Sequence, residues 1–219
     1  MKATHKQYEK AVKLYKNGGA YAVYEYAKEI GIDEWSTCEP CETNTPDCKD
    51  DSCLVCGSVK EKNLPSCVSI RLMKEEDIEA ILDIGSKGYS FNFYESDESF
   101  LSKLRGYPKG CYVITILEKV VAYAVTFPYF KHEVFPLNTI YTPFHSPTCH
   151  YFHDVCVEPA HRMKGFAKLL INKVWNISGL PKCLVAVNDS EKFWEQSNFE
   201  VTRKVVYGIN KSKASYMIC

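Results

Sequence analysis

The segment YFHDVCVEPAHRMKGFAKLL, residues 151–170, carries the densest chemistry in the chain. Inside it, Arg162, Gly165 and Ala167 keep the spacing Arg-x-x-Gly-x-Ala, where a short loop opens a helix. The first N–H groups of a helix have no intrahelical partner and sit at the positive end of its dipole. Gly165 lets a ligand approach the backbone closely. Arg162, Lys164 and Lys168 add positive charge. Such a loop suits a pyrophosphate. On spacing alone, a turn followed by an ordinary basic surface helix explains it equally well.

A second constellation is Cys38-x2-Cys41-x11-Cys53-x2-Cys56, with Cys48 between the pairs. Two CxxC pairs bring four thiolates to one tetrahedral zinc, and Gly57 suits a tight knuckle after the second pair. Four thiolates leave no open position for water, so the expected Zn2+ is structural. The chain has eleven cysteines, an odd number, and its amino-terminal MKATHKQYEKAVK has no apolar h-region. A cytoplasmic protein with reduced thiols is therefore expected rather than an exported disulfide scaffold. Lys+Arg and Asp+Glu are both 27, and such a balance argues against capture of nucleic acid or anionic membrane. The longest nearly apolar run, residues 120–127, is far short of the roughly 20 residues a bilayer needs. Residues 26–32 resemble the first half of a helix-turn-helix, but no basic second helix follows.

These groups need elements to position them. Tyr8, Val12 and Tyr15, then Val23, Ala27 and Ile30, recur at helical spacing around Gly18-Gly19, which predicts a helical hairpin ending near Gly31. The cysteine-rich stretch and a linker follow, so residues 1–65 form one small unit and 66–219 a second. In the second unit, residues 68–72 predict a strand and 77–84 a helix. Ser96 predicts a helix start with a hydroxyl cap and an acidic first turn. Residues 110–117 and 120–127 predict a hairpin about Glu118-Lys119, a turn without the favoured glycine. Residues 130–148 predict an irregular loop. Its aromatics, with Phe127 and Tyr129, either form a loop core or line an acceptor pocket. A strand over 151–157, a helix over 165–177, a strand over 184–187, a helix over 191–196 and a closing strand over 201–209 complete the pattern. Alternating strands and helices imply a mixed α/β sheet.

Segment 151–170 resembles the acetyl-CoA-binding motif of the GNAT N-acetyltransferase superfamily. The likeness extends in order over about residues 68–219. Residues 69–78 resemble the opening strand and first helix of that family, and residues 187–199 resemble its second binding motif. The resemblance implies a GNAT-type, mostly antiparallel twisted sheet flanked by helices, preceded here by the small helical and cysteine-rich unit. It implies transfer of an acetyl group from acetyl-CoA to an amine, here expected to belong to a small molecule. Backbone groups of Val155, Cys156 and Val157 would bind the pantetheine arm, and the amides of Met163, Lys164, Gly165, Phe166, Ala167 and Lys168 would hold the pyrophosphate. Asn188 is a further candidate contact. Phe166 stands where Lys or Arg is commoner and would narrow the loop.

Acetyl transfer to an amine needs a base, because an alkylammonium of pKa about 10 is not a nucleophile at neutral pH. His153 is the first candidate and Asp154 the second. Alternation would place His153 on the same strand face as Val155. Trp194 stands where relatives carry a Tyr, and indole is no proton donor to a leaving thiolate. A CoA-binding or zinc-bearing interaction module without efficient turnover is the competing reading.

Overall fold

The computed structural model describes Leu64 and residues 67–219. The expected helical hairpin and linker, and the cysteines Cys38, Cys41, Cys53 and Cys56, lie outside the described residues. Among the described residues no group of three or more His, Cys, Asp or Glu side chains could hold a metal ion. No described helix is long and apolar enough to cross a membrane.

The chain runs β1 (Val68–Leu72), α1 (Ile78–Gly88), α2 (Asp97–Gly106), β2 (Cys111–Ile116), β3 (Lys119–Tyr129), β4 (Cys149–Val157), α3 (Phe166–Trp175), β5 (Lys182–Ala186), α4 (Glu191–Glu195), β6 (Glu200–Tyr207) and β7 (Ser212–Ile218). The strands form one sheet in the order β1-β2-β3-β4-β5-β7-β6. Only β4 and β5 are parallel. The expected mixed, mostly antiparallel sheet is therefore present.

Local sequence explains most elements. In α1, Ile78, Ile81 and Ile84 are buried along one stripe, at the spacing that places residues on one helix face. At the start of α2, the Ser96 hydroxyl accepts the Ser99 amide at 3.3 Å, with Asp97 and Glu98 in the first turn. The β2–β3 turn is made by Leu117 (φ 51°) and Glu118 (φ 68°), both left-handed. Two left-handed residues match the twist of a tight hairpin, although neither is glycine. One strand differs from expectation. The chain does not close on residues 201–209. That stretch is the edge strand β6, and β7 inserts between it and β5. β7 starts with Ser212 and Lys213, so its polar opening conceals the buried Ala214, Tyr216 and Met217.

Two cores cover the two faces of the sheet. On one, α1 and α2 pack through Ile81, Ile84, Phe100 and Leu104 onto Tyr123, Phe127 and Tyr151. The loop after β3 belongs to this core. Phe135 and Tyr141 are buried, with ring centroids 4.9 and 4.4 Å from Phe127. Phe135 and Tyr141 thus belong to a loop core. On the other face, Phe166, Leu169 and Leu170 of α3 pack on Ile114, Val121 and Ala124, while Phe152, Leu184, Trp194, Phe199 and Met217 form a neighbouring cluster.

Left-handed backbone costs a non-glycine residue about 1–2 kcal/mol. Glu118→Gly is expected to stabilise the domain by about 0.5–1 kcal/mol, after subtracting glycine's extra unfolded-state entropy. A raised urea midpoint with an unchanged m value would report it.

Candidate active site

β4 pairs with β3 from Cys149 to Val157, but the register breaks once. Val125 faces Asp154 and Thr126 faces Phe152, which leaves His153 as an extra, bulged residue. A bulge bends the strand and resets which face later side chains occupy. Contacts confirm the reset. His153 packs against Phe127 and Phe135, and Asp154 meets the hydroxyls of Tyr89 and Tyr123. Both residues therefore face α1 and α2. Val155 instead packs with the α3-side clusters. His153 shares a face with Asp154, not with Val155 as alternation implies.

The bulge coincides with a parting of strands. β4 and β5 pair at His150↔Lys182, Tyr151↔Cys183 and Phe152↔Leu184, and no further. Beyond that point the strands enclose a cleft of about 250 Å³ lined by His153, Asp154, Glu95, Asn188, Trp194 and Tyr207. A cavity of about 440 Å³ adjoins it and shares Tyr89, Val155 and Arg162. Its lining includes Cys156, Val157, Met163, Gly165, Phe166, Ala167 and Lys168. The structure thus gathers the expected cofactor-binding positions around one cavity, except Lys164, which does not line it, and Asn188, which lines the cleft.

The loop entering α3 is built for close backbone approach. Met163 has φ 63° and Gly165 φ 74°, and Gly165 occupies the N-cap position without a side chain to cap the helix. The amides at the helix start are left to meet a ligand from outside. Phe166 does not narrow this opening as expected, because its ring is buried in the core. Cys156 turns towards α1, and burial pushes its thiol up to about 12. Its side chain is therefore no thiolate nucleophile. Trp194 packs against Phe152 and Phe199. Tyr207 brings a phenol into the cleft, and burial, with the nearby Glu95 and Asp154 charges, raises its pKa well above the usual value.

Glu95 is the hub of the polar groups. Its Oε1 accepts from Lys103 Nζ at 3.0 Å, Ser99 Oγ at 2.9 Å and the Asn138 amide at 2.9 Å. Its Oε2 lies 2.6 Å from His153 Nε2. Burial pushes the carboxyl pKa up, but His153 and Lys103 outweigh it and hold Glu95 below the ordinary carboxylate range. Lys103 is wholly buried, and desolvation lowers its pKa against the opposing pull of Glu95. Asp154 is raised, first by burial, despite the two tyrosine donors at 2.7 Å. The His153 side chain is 1% exposed, and its Nδ1 has no hydrogen-bond partner.

Comparisons with known proteins agree with this architecture. The model of the "Acetyltransferase (GNAT) family" matches residues 77–196, more than half the chain. The chain belongs to the GNAT acetyltransferase family. No curated protein matches it in sequence. Among solved structures, Ard1 from Thermoplasma volcanium shares 19% identity at TM-score 0.58, covering 70% of this chain and 97% of its own. The loading GNATL domain of CurA from Lyngbya majuscula shares 13% at 0.59, covering 69% and 96%. Arabidopsis thaliana Naa50, solved with a bisubstrate analogue, shares 12% at 0.54, covering 70% and 98%. At such identities these likenesses show the fold.

In this GNAT domain, sequence reasoning missed Glu95, Lys103, Tyr89 and Tyr123. Glu95 precedes the Ser96 cap and reads as one more acidic residue of a helix start. Its role depends on a histidine 58 positions away. Removing one member of a buried ion pair strands the other. Lys103→Met is therefore expected to destabilise the domain by about 3–5 kcal/mol. In a double-mutant cycle by urea unfolding, adding Glu95→Gln should recover part of that loss, whereas simple additivity would mean the pair is uncoupled.

Proposed function

We propose that residues 66–219 form an acetyl-CoA-dependent N-acetyltransferase unit acting on the amine of a small molecule. One observation carries the reading: β4 parts from β5 after Phe152 and Leu184, so β4 backbone unpaired on its β5 side lines two adjoining cavities that reach from the uncapped start of α3 to Glu95 and His153. The cavity residues fit the co-substrate. Its pyrophosphate would meet the amides of 163–168, with Arg162 and Lys168 alongside. The pantetheine arm would lie against the backbone of Val155, Cys156 and Val157, delivering the thioester to the cleft where Asn188 also lies. Acetyl-CoA supplies the acyl group and the thiolate leaving group.

The chain's own residues then have defined tasks. Glu95 orients the His153 ring through Nε2. His153, paired with Glu95, would take the ammonium proton at the rim of the cleft. Asp154, held by Tyr89 and Tyr123, places negative charge beside the approaching ammonium. A thiol of pKa about 8.5 leaves without a dedicated acid. The cleft shields the reaction from bulk water and holds both partners in place.

The competing reading is a CoA-binding module without turnover. Thiol release from acetyl-CoA across an amine panel separates the two. Turnover with any amine supports the enzyme, whereas tight acetyl-CoA binding with no release on the whole panel supports the module. Within the enzyme reading, His153→Ala should lower kcat/KM by a factor of roughly 10² or more. His153→Gln, which keeps a donor for Glu95, should lose as much. Equal activity in both variants, with a dead but folded Asp154→Asn, would move the base to Asp154.

Gly165→Val forces a branched side chain into left-handed backbone. It should weaken acetyl-CoA binding about tenfold or more, or about 1.4 kcal/mol, with the fold kept by circular dichroism. Unchanged affinity by calorimetry would remove the pyrophosphate from this loop.

A further inference from the structure

Two turns that are far apart in sequence meet over the cleft. Asn92 is 8% exposed and binds the β6–β7 turn at three points. Its carbonyl accepts the Ile209 amide at 2.9 Å, its Oδ1 accepts the Asn210 amide at 2.5 Å, and its Nδ2 donates to Ser212 Oγ at 2.9 Å. Gly208 has φ 84°, and a Cβ there would lie 2.6 Å from Asn92 Nδ2. Tyr207 stacks on Phe93 at 6.4 Å beside this clasp. The clasp fixes one wall of a groove of about 400 Å³, the size of a small-ligand site. The groove adjoins the cleft, and Leu137 and Tyr207 line both.

The groove's chemistry is one-sided. No charged side chain lines it. Tyr94, Val206 and Ile209 stand 50%, 63% and 55% exposed around it. Large apolar side chains left together in water mark a binding surface. Asn138, its one amide side chain, already accepts the Ser96 amide and hydroxyl at its Oδ1. At the inner end the chemistry inverts, because Glu95 and Asp154 face the cleft.

We infer that the acceptor is a small primary amine carried on an uncharged apolar tail, with the ammonium at Glu95 and Asp154 and the tail in the groove clasped by Asn92. The inference rests on the acetyltransferase reading and adds the acceptor's chemistry to it. A second ammonium on the tail would lose its hydration against apolar walls with no partner. A polypeptide amine would carry its backbone amides into the same walls.

Hexylamine and cadaverine test this, because they match in length and differ only in a terminal methyl or ammonium. Two readouts are needed. Calorimetry with CoA bound reads amine affinity without turnover, and thiol release reads kcat/KM. Hexylamine is expected to exceed cadaverine by roughly tenfold or more in both. Val206→Glu and Ile209→Glu sit at exposed positions, so both should fold. Each should weaken hexylamine roughly tenfold and narrow or invert the preference, with acetyl-CoA affinity retained. Asn92→Asp, which keeps the Oδ1 contact but loses the Nδ2 donor, should raise KM for hexylamine more than it lowers kcat. Equal use of the two amines, no response to Val206→Glu and Ile209→Glu, or a stronger preference for a peptide with amino-terminal leucine would each overturn the inference. Binding of hexylamine with no thiol release from any amine would uphold the groove and fail the acetyltransferase reading instead.

Discussion

One extra residue in β4 governs the site. Had β4 continued without the bulge at His153, alternation would send His153 and Asp154 to opposite faces. The bulge turns both towards α1 and α2. It falls where pairing with β5 ends, so the same residue that reorients the side chains marks the opening of the cleft. A bulge leaves backbone unpaired and bends the strand. Here the bend is held from one side by His153 on Glu95 and by Asp154 on Tyr89 and Tyr123. From the other side Phe152 locks into the aromatic cluster of Trp175, Trp194 and Phe199.

The Glu95 network ties this bend to the rest of the first core. Through Lys103 and Ser99 it reaches along α2, and through Asn138 it reaches the loop after β3. Buried ion pairs stabilise only when every partner is present, since each lone charge would be costly. The network therefore fixes relative position more than it adds net stability. Three separate segments are held to one carboxylate at the rim of the cleft, which is what a site needs if its groups are to keep their spacing.

Elements set by local patterns were legible. Residues 68–72 formed β1 as read, and Ser96 capped α2 with its acidic first turn. Arg162, Gly165 and Ala167 marked the loop entering α3, and most of the positions they implied line one cavity. What depends on partners distant in sequence was not legible. The bulge has no signature in YFHDVCV, because it arises from register against β3. Glu95 reads as surface charge until His153 and Lys103 close around it. β7 was hidden because its buried residues are Ala, Ser, Tyr and Met behind a polar start, and its place in the sheet comes from β5 and β6 rather than from its own pattern.

The position of β7 has a consequence for the order of assembly. It is the last strand in sequence yet lies inside the sheet, between β5 and β6. During synthesis from the amino terminus, β1 to β4 can pair as each emerges, because each meets a neighbour already made. β5 then holds only a three-residue parallel ladder on β4. β6 emerges before the strand it pairs with. The half of the domain that supplies Tyr207 and the clasped turn therefore stays unzipped until β7 threads between its neighbours. A nascent chain stalled short of β7 would present a first core lacking Tyr216 beside a bare, apolar β5 edge, the kind of surface that chaperones recognise.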